Sequence, residues 1–600
     1  MTVALLSSGT TVAELARVRG VSPGLLSAGL GSVPAEQTYL DIGQGNRVFD
    51  SLYAGKLPVL GPRGCTEAWR GAVVDRADSA PADIVPGLLA STLEAAGTGV
   101  SVGGGASCTF SAAPIAASRR RSAKKLSGTP HRHAPQAFEV RSSSLRQLPS
   151  LVESLRGEDL LIAVERPPPA TNEALAIGIA GRGFDGNLTS GSTRLDGYVL
   201  STDVAPTILR RFGVAIPSEM SGQPIRTEGS VDVAEVVSLG DRLATISERR
   251  GPVIGVSLAV WLVAFGLAVA ATGGRLARPG VRLLGLAVVY LPLLLLTGAV
   301  LEPSQRAEQL LVMLGTPLLA ALTLAALGGY RALAVASGLT VLAYAVDVLF
   351  GSPFTSLSLL GPNPGLGVRF YGIGNELEAL LAVLIVAGTG AALTGFAPRL
   401  SPRGCAVAFL AIGLALAFVF AAGRFGADVG AAIVLPVGAA VAAGSIAARR
   451  RRAALLIVAA PLAAVALLAL IDLVSGANAH LTRSVLDAGG LGDLADVVQR
   501  RLQLSANSFT RPIVIVFLPL IAILVVLAVL NRERLEAWLR GRPAMRAGLV
   551  GAVVATAVGA LANDSGALLL EIGAAYLLVF VAFAWTEADR KRPSSQARYP

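Results

Sequence analysis

The sequence is poor in charged and aromatic side chains. Asp, Glu, Lys and Arg make up 15% of its 600 residues, whereas soluble domains carry roughly 25%, so a wholly soluble enzyme is excluded. Aromatic residues amount to 5%, and the long apolar runs differ from the short alternating segments of a porin-type barrel. The mean hydropathy of +0.62 therefore favours a bundle of membrane helices.

Cysteine and histidine are also scarce. Three residues of each are too few for a disulfide scaffold or an array of zinc fingers. Cys65 and Cys108 can pair in an oxidising compartment or remain two separate thiols, and Cys405 is expected to be a small apolar filler. The sequence contains no Walker A motif, dinucleotide fingerprint, Ser-His-Asp arrangement or zinc-ligand spacing. None of the catalytic or nucleotide-binding sites that these motifs mark is therefore indicated.

Long apolar runs are missing from the N-terminal part. Residues 1–250 contain no run of the roughly 18 apolar residues that cross a bilayer. We therefore expect an α/β domain over 1–250, an all-α polytopic membrane domain over 251–586 and a cytoplasmic tail over 587–600. Recurring apolar runs predict about eleven transmembrane helices, near 253–272, 282–301, 309–328, 331–350, 376–397, 404–422, 427–447, 453–474, 512–530, 546–562 and 567–585.

Arginine and lysine indicate the orientation of these helices. They concentrate in every second loop, most densely in the unbroken run Arg449–Arg452, and such loops are expected in the cytoplasm. With an odd number of spans, the C-terminus is then cytoplasmic and the N-terminal domain extracytoplasmic. The net charge of +11 thus reflects topology, and a nucleic-acid partner is not expected. Because residues 1–20 lack a secretory signal, the natural start is expected upstream.

Short apolar strands alternate with helical stretches in residues 1–250. VALLSS precedes TVAELARV, and DLLIAV precedes ALAIGIAG, which predicts an α/β domain with a largely parallel sheet. A basic, Ser-rich stretch near 110–145, densest at 118–136, has the composition of a disordered insertion. His131 and His133 lie within it, and we expect them to be incidental to function.

Four stretches resemble known proteins. GYVLSTDVAPTILRRFGVAIPSEMSGQPI (197–225) resembles the C-terminal element of alkaline phosphatase-superfamily domains, as in sulfatases and phosphoglycerate mutase-like enzymes. QTYLDIGQGNRV (37–48) resembles the loop after their nucleophile region. GFDGNLTSGSTRLDGYV (183–199) and YGIGNE (371–376) resemble stretches of high-GC bacterial polytopic membrane proteins that carry such a domain. The likeness covers most of residues 1–230 and implies that fold, but it implies no reaction.

The resemblance also implies metal ligands that this sequence lacks. Members of the superfamily hold two divalent metals with Asp and His, one ligand lying at the end of the first strand and an Asp-His pair after a late strand. This chain has Ser7–Gly9 and Glu165–Pro167 at those places. Because metal catalysis needs anionic or imidazole ligands there, the domain is interpreted as catalytically degenerate. It would bind a ligand or partner, or brace the membrane half, and Asp203 is interpreted as a helix cap.

Ionisable side chains within membrane helices are costly and mark functional sites. No acid within the predicted spans is expected near a cytoplasmic end. Capping of helix ends would explain Asn375, Asp428 and Asp564, but the number of acids beside arginines and glycine-rich turns favours a site. The candidate residues all fall toward the expected outer face: Asp347, Arg369, Asn375, Glu376, Glu378, Arg424, Asp428, Asp472, Asn563, Asp564 and Glu571.

Carboxylates beside arginines at one depth suit a divalent cation with a phosphate-bearing substrate, or a proton-coupled carrier. The outer loop 475–511, with His480 and Arg483, is either an interfacial helix or a lid for an anionic lipid-linked substrate. Its place late in the bundle resembles that of lipid-linked glycan ligases and polymerases. Three functions stay open: handling of a lipid-linked glycan or phosphate in cell-envelope assembly, secondary transport, and a non-catalytic scaffold or sensor in the bilayer.

Overall fold

The computed structural model describes residues 1–60, 65–102, 137–168, 174–447, 459, 508–509, 512–563 and 565–588. The chain divides into two compact units. Unit 1 comprises Met1–Ile246 and Asn363–Phe370, and unit 2 comprises Ser247–Pro362 and Tyr371–Pro600. An eight-residue segment between two membrane helices thus packs as part of the N-terminal unit.

Unit 1 is an α/β domain, as the sequence predicts. Seven strands form one sheet in the order β3-β4-β1-β5-β6-β2-β8, and β7 pairs with β9. β6 runs antiparallel to both of its neighbours, and the other neighbouring pairs in the large sheet are parallel. The strands are β1 (Thr2–Leu6), β2 (Val21–Ser27), β3 (Gly99–Val102), β4 (Ala137–Ser142), β5 (Leu160–Glu165), β6 (Ala174–Gly181), β7 (Asn187–Thr189), β8 (Tyr198–Leu200) and β9 (Arg226–Glu228).

The central strands are buried along nearly their whole length. Val3 of β1 pairs with Val140 of β4 on one side and with Ile162 of β5 on the other. Continuous apolar strands of this kind are typical of a sheet covered on both faces. β4 overlaps the end of the expected disordered insertion, so the range 110–145 extends too far, because Ala137–Ser142 pairs with β1 and β3. Residues 103–136 lie outside the described residues.

Seven helices of the described chain belong to the N-terminal region. The capping box between Thr11 and Glu14 starts the first of them, as this spacing favours. The expected loop over 37–48 is wrong for residues 37–44, which are helical, and Gly45 ends that helix with φ +64°. The helices are α1 (Val12–Ala16), α2 (Ala35–Gln44), α3 (Glu67–Asp78), α4 (Leu88–Ala95), α5 (Leu148–Glu153), α6 (Val204–Arg211) and α7 (Val233–Arg250).

Unit 2 is helical. After a π-turn at Gly251–Gly255, its helices are α8 (Val256–Ala271), α9 (Ala277–Leu301), α10 (Gln305–Ala326), α11 (Gly329–Leu349), α12 (Pro353–Leu357), α13 (Asn375–Phe396), α14 (Pro402–Ala421), α15 (Val429–Ala447), α16 (Pro512–Leu530), α17 (Arg532–Trp538), α18 (Pro543–Ala562) and α19 (Gly566–Ala588). Among the described residues, nine helices are long and apolar enough to cross a membrane, or ten with the bent pair of α16 and α17. These lengths indicate an integral membrane protein. The expected span 453–474 lies outside the described residues.

Glycines bring the central helices of unit 2 together. α13 packs against α11, α15, α18 and α19. Gly390 of α13 faces Gly548 of α18, where a Cβ on Gly390 would lie 3.2 Å from the Gly548 Cα, and Gly438 of α15 lies against Gly551 of α18. In lipid, close packing of small residues is a principal source of helix association. These contacts hold the ends of α13, α15 and α18 in a fixed register.

One acid lies at the helix end that the sequence assigns to the cytoplasm. Glu587, in the last turn of α19, is 6% exposed and lies 2.8 Å from Arg282 Nη2. Arg282 also donates to the Thr586 carbonyl at 2.6 Å. Glu587 lies beyond the expected span 567–585 and in the expected tail 587–600, because the last helix continues to Ala588.

The cysteines differ in state. Cys65 is disulfide-bonded, and Cys108, the partner that the sequence suggests, lies outside the described residues. Cys405 is free and buried in the first turn of α14. Its thiol donates to the Leu400 carbonyl oxygen at 3.8 Å, near the end of the preceding loop.

Candidate functional site

Several turns meet at one end of the helices of unit 2. The Gly372 amide donates to Ser352 Oγ at 3.0 Å, and the Ile373 amide donates to the Gly426 carbonyl at 3.1 Å. Gly372 has φ +77° and contacts the Gly426 backbone so closely that a Cβ would overlap the carbonyl. The turn after α11, the segment before α13 and the turn before α15 are therefore held together.

Two buried carboxylates, Glu378 and Asp428, which we call the acid pair, both contact Gly430. Each is 2% exposed. Asn563 Nδ2 donates to Glu378 Oε2 at 2.6 Å, and the Gly430 amide donates to Asp428 Oδ1 at 3.0 Å. A Cβ on Gly430 would lie 2.5 to 2.7 Å from the Glu378 carboxyl group. Only glycine leaves space for that carboxylate.

Asp347 and Glu376 have structural partners. Asp347 accepts hydrogen bonds from the Phe354 amide at 3.2 Å and the Thr355 amide at 2.6 Å, so it caps the first turn of α12. Glu376 lies 3.5 Å from Arg250 Nη1, and both side chains are partly exposed. Their carboxylates are therefore engaged outside the acid pair.

Helix capping explains only some of the candidate residues. Asp428 precedes α15 and accepts from Gly430, which is the geometry of a cap. At the start of α13, by contrast, Gly374 occupies the cap position and no side-chain hydrogen bond caps the helix. Capping therefore accounts for Asp428 and not for Asn375.

The remaining candidates are dispersed. Arg369 belongs to unit 1. Arg424 is exposed, with its guanidinium 5.2 Å from the centre of the Phe425 ring. Glu571 lies in the second turn of α19, and its Oε1 is buried without a hydrogen-bond partner in the described part of the chain. Asp472, His480, Arg483 and Asp564 lie outside the described residues.

The expected divalent cation has few protein ligands at this place. Within the described residues, no group of three or more His, Cys, Asp or Glu side chains is arranged to hold a metal ion. The acid pair and Asn563 supply two carboxylates and one amide. Mg²⁺ and Ca²⁺ take six or more oxygen ligands, so either ion would need substrate oxygens or water in addition.

A buried ion pair in unit 2 is not apparent from the sequence. Glu308 of α10 is fully buried, and Arg249 Nη1 lies 3.1 Å from its Oε2 and donates to the Pro303 carbonyl at 2.9 Å. The adjacent Arg250 donates to the Gly361 carbonyl at 2.9 Å. Two consecutive arginines thus fix two different loops, and the signal in the sequence was their position just before an apolar helix.

Glu165 and Arg166 bond to neighbouring segments at the strand ends of unit 1. Glu165 Oε1 accepts from the Gly9 amide at 2.8 Å, and its Oε2 accepts from the Ala176 amide at 2.9 Å. Arg166 Nη2 donates to Ser142 Oγ at 2.6 Å. The acid and the base at this edge of the sheet therefore hold the strand connections together.

Asp203 joins two of the stretches that resemble known proteins. Its buried carboxylate accepts from Ser190 Oγ and Ser192 Oγ, both at 2.6 Å, and from the amides of Leu200 at 3.0 Å and Gln223 at 2.8 Å. Its side chain does not cap α6, so the expected cap is wrong for that helix. The bond to Leu200 instead closes the preceding 3₁₀ turn, Ser201–Asp203.

A second buried polar cluster, also missed from the sequence, surrounds Asp41 of α2. Gln37 and Gln44 donate to Asp41 Oδ1 at 2.7 and 3.0 Å, and Arg76 donates to Gln37 Oε1 at 2.9 Å. Asp41 Oδ2 and the Tyr53 hydroxyl are buried without a hydrogen-bond partner among the described residues. Burial raises the pKa of Asp41 to about 7, although the neighbouring Gln37 hydrogen bond and arginines oppose the shift.

We expect Gly430→Ala to destabilise the protein by roughly 1–3 kcal/mol, the usual cost of overpacking, because the new Cβ would displace the Glu378 carboxylate. Thermal unfolding of the purified protein in detergent measures the effect. Gly338→Ala in α11 is the matched control, since a Cβ there meets nothing within 4 Å. Equal melting temperatures for the two variants would contradict the close contact.

We expect Asp41→Asn to alter the pH dependence of stability. The folded-state pKa of about 7 exceeds the unfolded value of about 3.9, so the folded state holds a proton that the unfolded chain has released, and wild-type stability falls as pH rises between these values. The variant keeps the acceptor for Gln37 and Gln44 without titrating. The free energy of unfolding of Asp41→Asn should equal that of the wild type near pH 4 and exceed it by up to about 4 kcal/mol at pH 8.

Thermal unfolding of both proteins from pH 4.5 to 8 tests this expectation. Asp185→Asn, which changes an exposed carboxylate, serves as the control and should follow the wild-type curve. Parallel curves for wild type and Asp41→Asn would show that Asp41 does not titrate in this range.

Comparison with known proteins does not identify a family. No protein-family model, curated protein or solved structure gives a significant match to this chain.

Proposed function

We propose that this integral membrane protein handles a lipid-linked or phosphate-bearing substrate at the outer leaflet, in assembly of the cell envelope. The observation that carries this proposal is the acid pair, which contacts Gly430 at one end of charge-poor helices. Burying carboxylates among membrane helices is costly. Capping accounts for Asp428, whereas the Glu378 carboxylate is directed to Asn563 and Gly430, outside its own helix.

The chemistry of the acid pair suits a polar group that reaches the end of the helices. The two carboxylates can hold a proton or, together with substrate oxygens, a cation that accompanies a phosphate. Arg424, exposed in the turn before α15, offers a guanidinium that suits phosphate geometry. The candidate lid residues belong to the same proposal as groups that would cover an anionic substrate.

Unit 1, in this proposal, is an alkaline phosphatase-like domain that has lost metal hydrolysis and binds an acceptor or braces the membrane helices. The largely parallel sheet and the Asp203-centred connection support the likeness. The hydrogen bonds of Glu165 with the Gly9 and Ala176 amides support the loss of metal hydrolysis, because they occupy both oxygens of a carboxylate that a metal site would need.

The proposed orientation places unit 1 outside the cytoplasm and the C-terminus inside. The disulfide at Cys65 supports this, because such bonds persist in oxidising compartments. Residues 363–370 follow α12 and precede α13, yet belong to unit 1, which favours one compartment for this loop and the domain. The arginine-rich loops favour the same orientation.

Secondary transport coupled to protons or cations is the second candidate. The observation in its favour is that the acid pair contains two carboxylates and not three, which suits a proton better than a divalent metal. A scaffold or sensor remains the third candidate, supported by the structural bonds that occupy Glu165 and Glu376.

Sidedness provides the first test. A cysteine placed in 118–136 should react with an impermeant maleimide in intact cells, whereas one placed after Arg590 should react only after lysis. Protection of the first cysteine, with an outer-surface control labelled, would place unit 1 in the cytoplasm and remove the premise of an outer-leaflet function.

Substrate binding provides the second test. Purified protein in nanodiscs should bind a polyprenyl phosphate more tightly than the uncharged polyprenol, and Glu378→Gln or Asp428→Asn should weaken that binding at least about tenfold, which corresponds to 1.4 kcal/mol. Glu376→Gln is the matched control, since Glu376 pairs with Arg250. Equal binding of phosphate and alcohol would contradict the proposal, and loss of proton-driven flux alone in the two variants would favour transport.

A further inference from the structure

Arginines join the ends of several helices of unit 2. Arg331, in the first turn of α11, donates its Nε to the Gly395 carbonyl of α13 at 2.9 Å. Arg542, just before α18, donates its Nη2 to the Glu587 carbonyl of α19 at 2.6 Å, and its guanidinium lies 5.4 Å from the centre of the Tyr330 ring. The beginnings of α11 and α18 and the ends of α13 and α19 are therefore connected through guanidinium groups.

The start of α9 adds two more arginines to these contacts. Arg282 lies 2.8 Å from the Glu587 carboxylate. Arg278, one turn earlier, has its guanidinium 5.5 Å from the centre of the Trp585 ring of α19. These two residues belong to what we call the basic rim, whose members are Arg278, Arg282, Arg331 and Arg542.

Capping of helix ends explains part of the basic rim. Arginine side chains commonly bind the last carbonyl groups of a helix, and Arg331 and Arg542 do so at α13 and α19. Among the described residues that make these contacts, however, four carry a positive charge and one, Glu587, a negative charge. Capping therefore leaves the basic rim with an excess of positive charge.

Aromatic side chains indicate the depth of the basic rim in the bilayer. The apolar run of α19 ends at Trp585, which is followed by Thr586 and Glu587, and tryptophan favours the headgroup region of a membrane. At the end of α13, the exposed Phe396 has its ring centre 5.7 Å from the Arg331 guanidinium. The arginines therefore lie where phospholipid headgroups meet the acyl chains.

The basic rim is separate from the acid pair. Glu378 lies in the first turn of α13, and Gly395 lies near the other end of the same helix, so the two places are about 25 Å apart at a rise of 1.5 Å per residue. In the proposed orientation the basic rim faces the cytoplasm, where basic segments beside membrane helices attract anionic lipids. A group bound at one place does not contact the other.

We propose that the basic rim binds the headgroups of anionic phospholipids. The exposed guanidinium groups of Arg278 and Arg331 donate to phosphate oxygens in the planar geometry that suits phosphate, and Arg282 and Arg542 hold the helix ends in place. Acyl chains contact the exposed apolar side chains nearby, such as Phe396, whereas a soluble anion gains nothing from them. The inference is independent of the proposed substrate.

Native mass spectrometry of the full-length protein in detergent tests this proposal. The first phosphatidylglycerol should bind at least about tenfold more tightly than phosphatidylcholine, as expected when several arginines face an anionic headgroup, and added salt should reduce the difference. The double variant Arg278→Gln/Arg331→Gln should lose most of this preference. Lysine at both positions should retain most of it, because lysine keeps the charge.

Arg306→Gln is the matched control, because it removes an exposed arginine from the start of α10, which follows the far end of α9. It should bind phosphatidylglycerol as the wild type does. Equal affinities of the wild type for the two lipids would refute the proposal and need no variant. An unchanged preference in the glutamine double variant would refute it too.

Inorganic phosphate distinguishes the two sources of an anionic group. Millimolar phosphate should leave the bound phosphatidylglycerol in place, and its displacement would assign the basic rim to a soluble anion and overturn the proposal. Glu378→Gln and Asp428→Asn should bind phosphatidylglycerol like the wild type. The outcome at the basic rim leaves polyprenyl phosphate binding at the acid pair unaffected, so the two proposals fail separately.

Discussion

Contact between helix backbones at glycine is the constraint on which unit 2 depends. Within the lipid hydrocarbon the hydrophobic effect does not drive helices together, so their association depends on close packing. Gly390 with Gly548, and Gly438 with Gly551, bring α13, α15 and α18 together. Gly430 likewise permits a close contact, here with a carboxylate, because the absence of a Cβ leaves the space that the Glu378 carboxyl group occupies.

The described part of unit 1 contains two buried carboxylates with different hydrogen-bond partners. Asp203 receives four donors distributed over both oxygens, which fix the backbone around it and oppose the rise in the pKa of Asp203 that burial causes. Asp41 receives both of its glutamine donors on a single oxygen. Asp203 therefore links several backbone segments, whereas Asp41 has one oxygen without a hydrogen-bond partner among the described residues.

Local patterns in the sequence were sufficient to predict several strands of unit 1 and the membrane helices of unit 2. Alternation of apolar runs predicted β1, β5 and β6, and hydropathy predicted each membrane helix with a described counterpart, because strand burial and bilayer thickness act over a few neighbouring residues. Residues 37–44 were misjudged as a loop by likeness to other proteins, although Gly45 marks a helix end.

Pairings between distant residues could not be read in the same way. The expected depth in the membrane placed Glu378 and Asn563 at the same level. Neither segment of the sequence, however, predicts the 2.6 Å hydrogen bond between their side chains. The Arg249–Glu308 pair escaped notice because its members lie on either side of two membrane helices. The inclusion of residues 363–370 in unit 1 depends on tertiary packing alone.

The contact between Gly372 and Gly426 has an evolutionary consequence. Neither glycine leaves room for a side chain, since a Cβ on Gly372 would overlap the Gly426 carbonyl and a Cβ on Gly426 would overlap the Phe420 carbonyl. Substitution of Gly372 is thus constrained by the backbone of a residue two helices away, and substitution of Gly426 by the backbone of a residue in the preceding helix. Distant relatives that keep this rim should be recognisable by the joint retention of both glycines, even where the surrounding apolar residues have diverged.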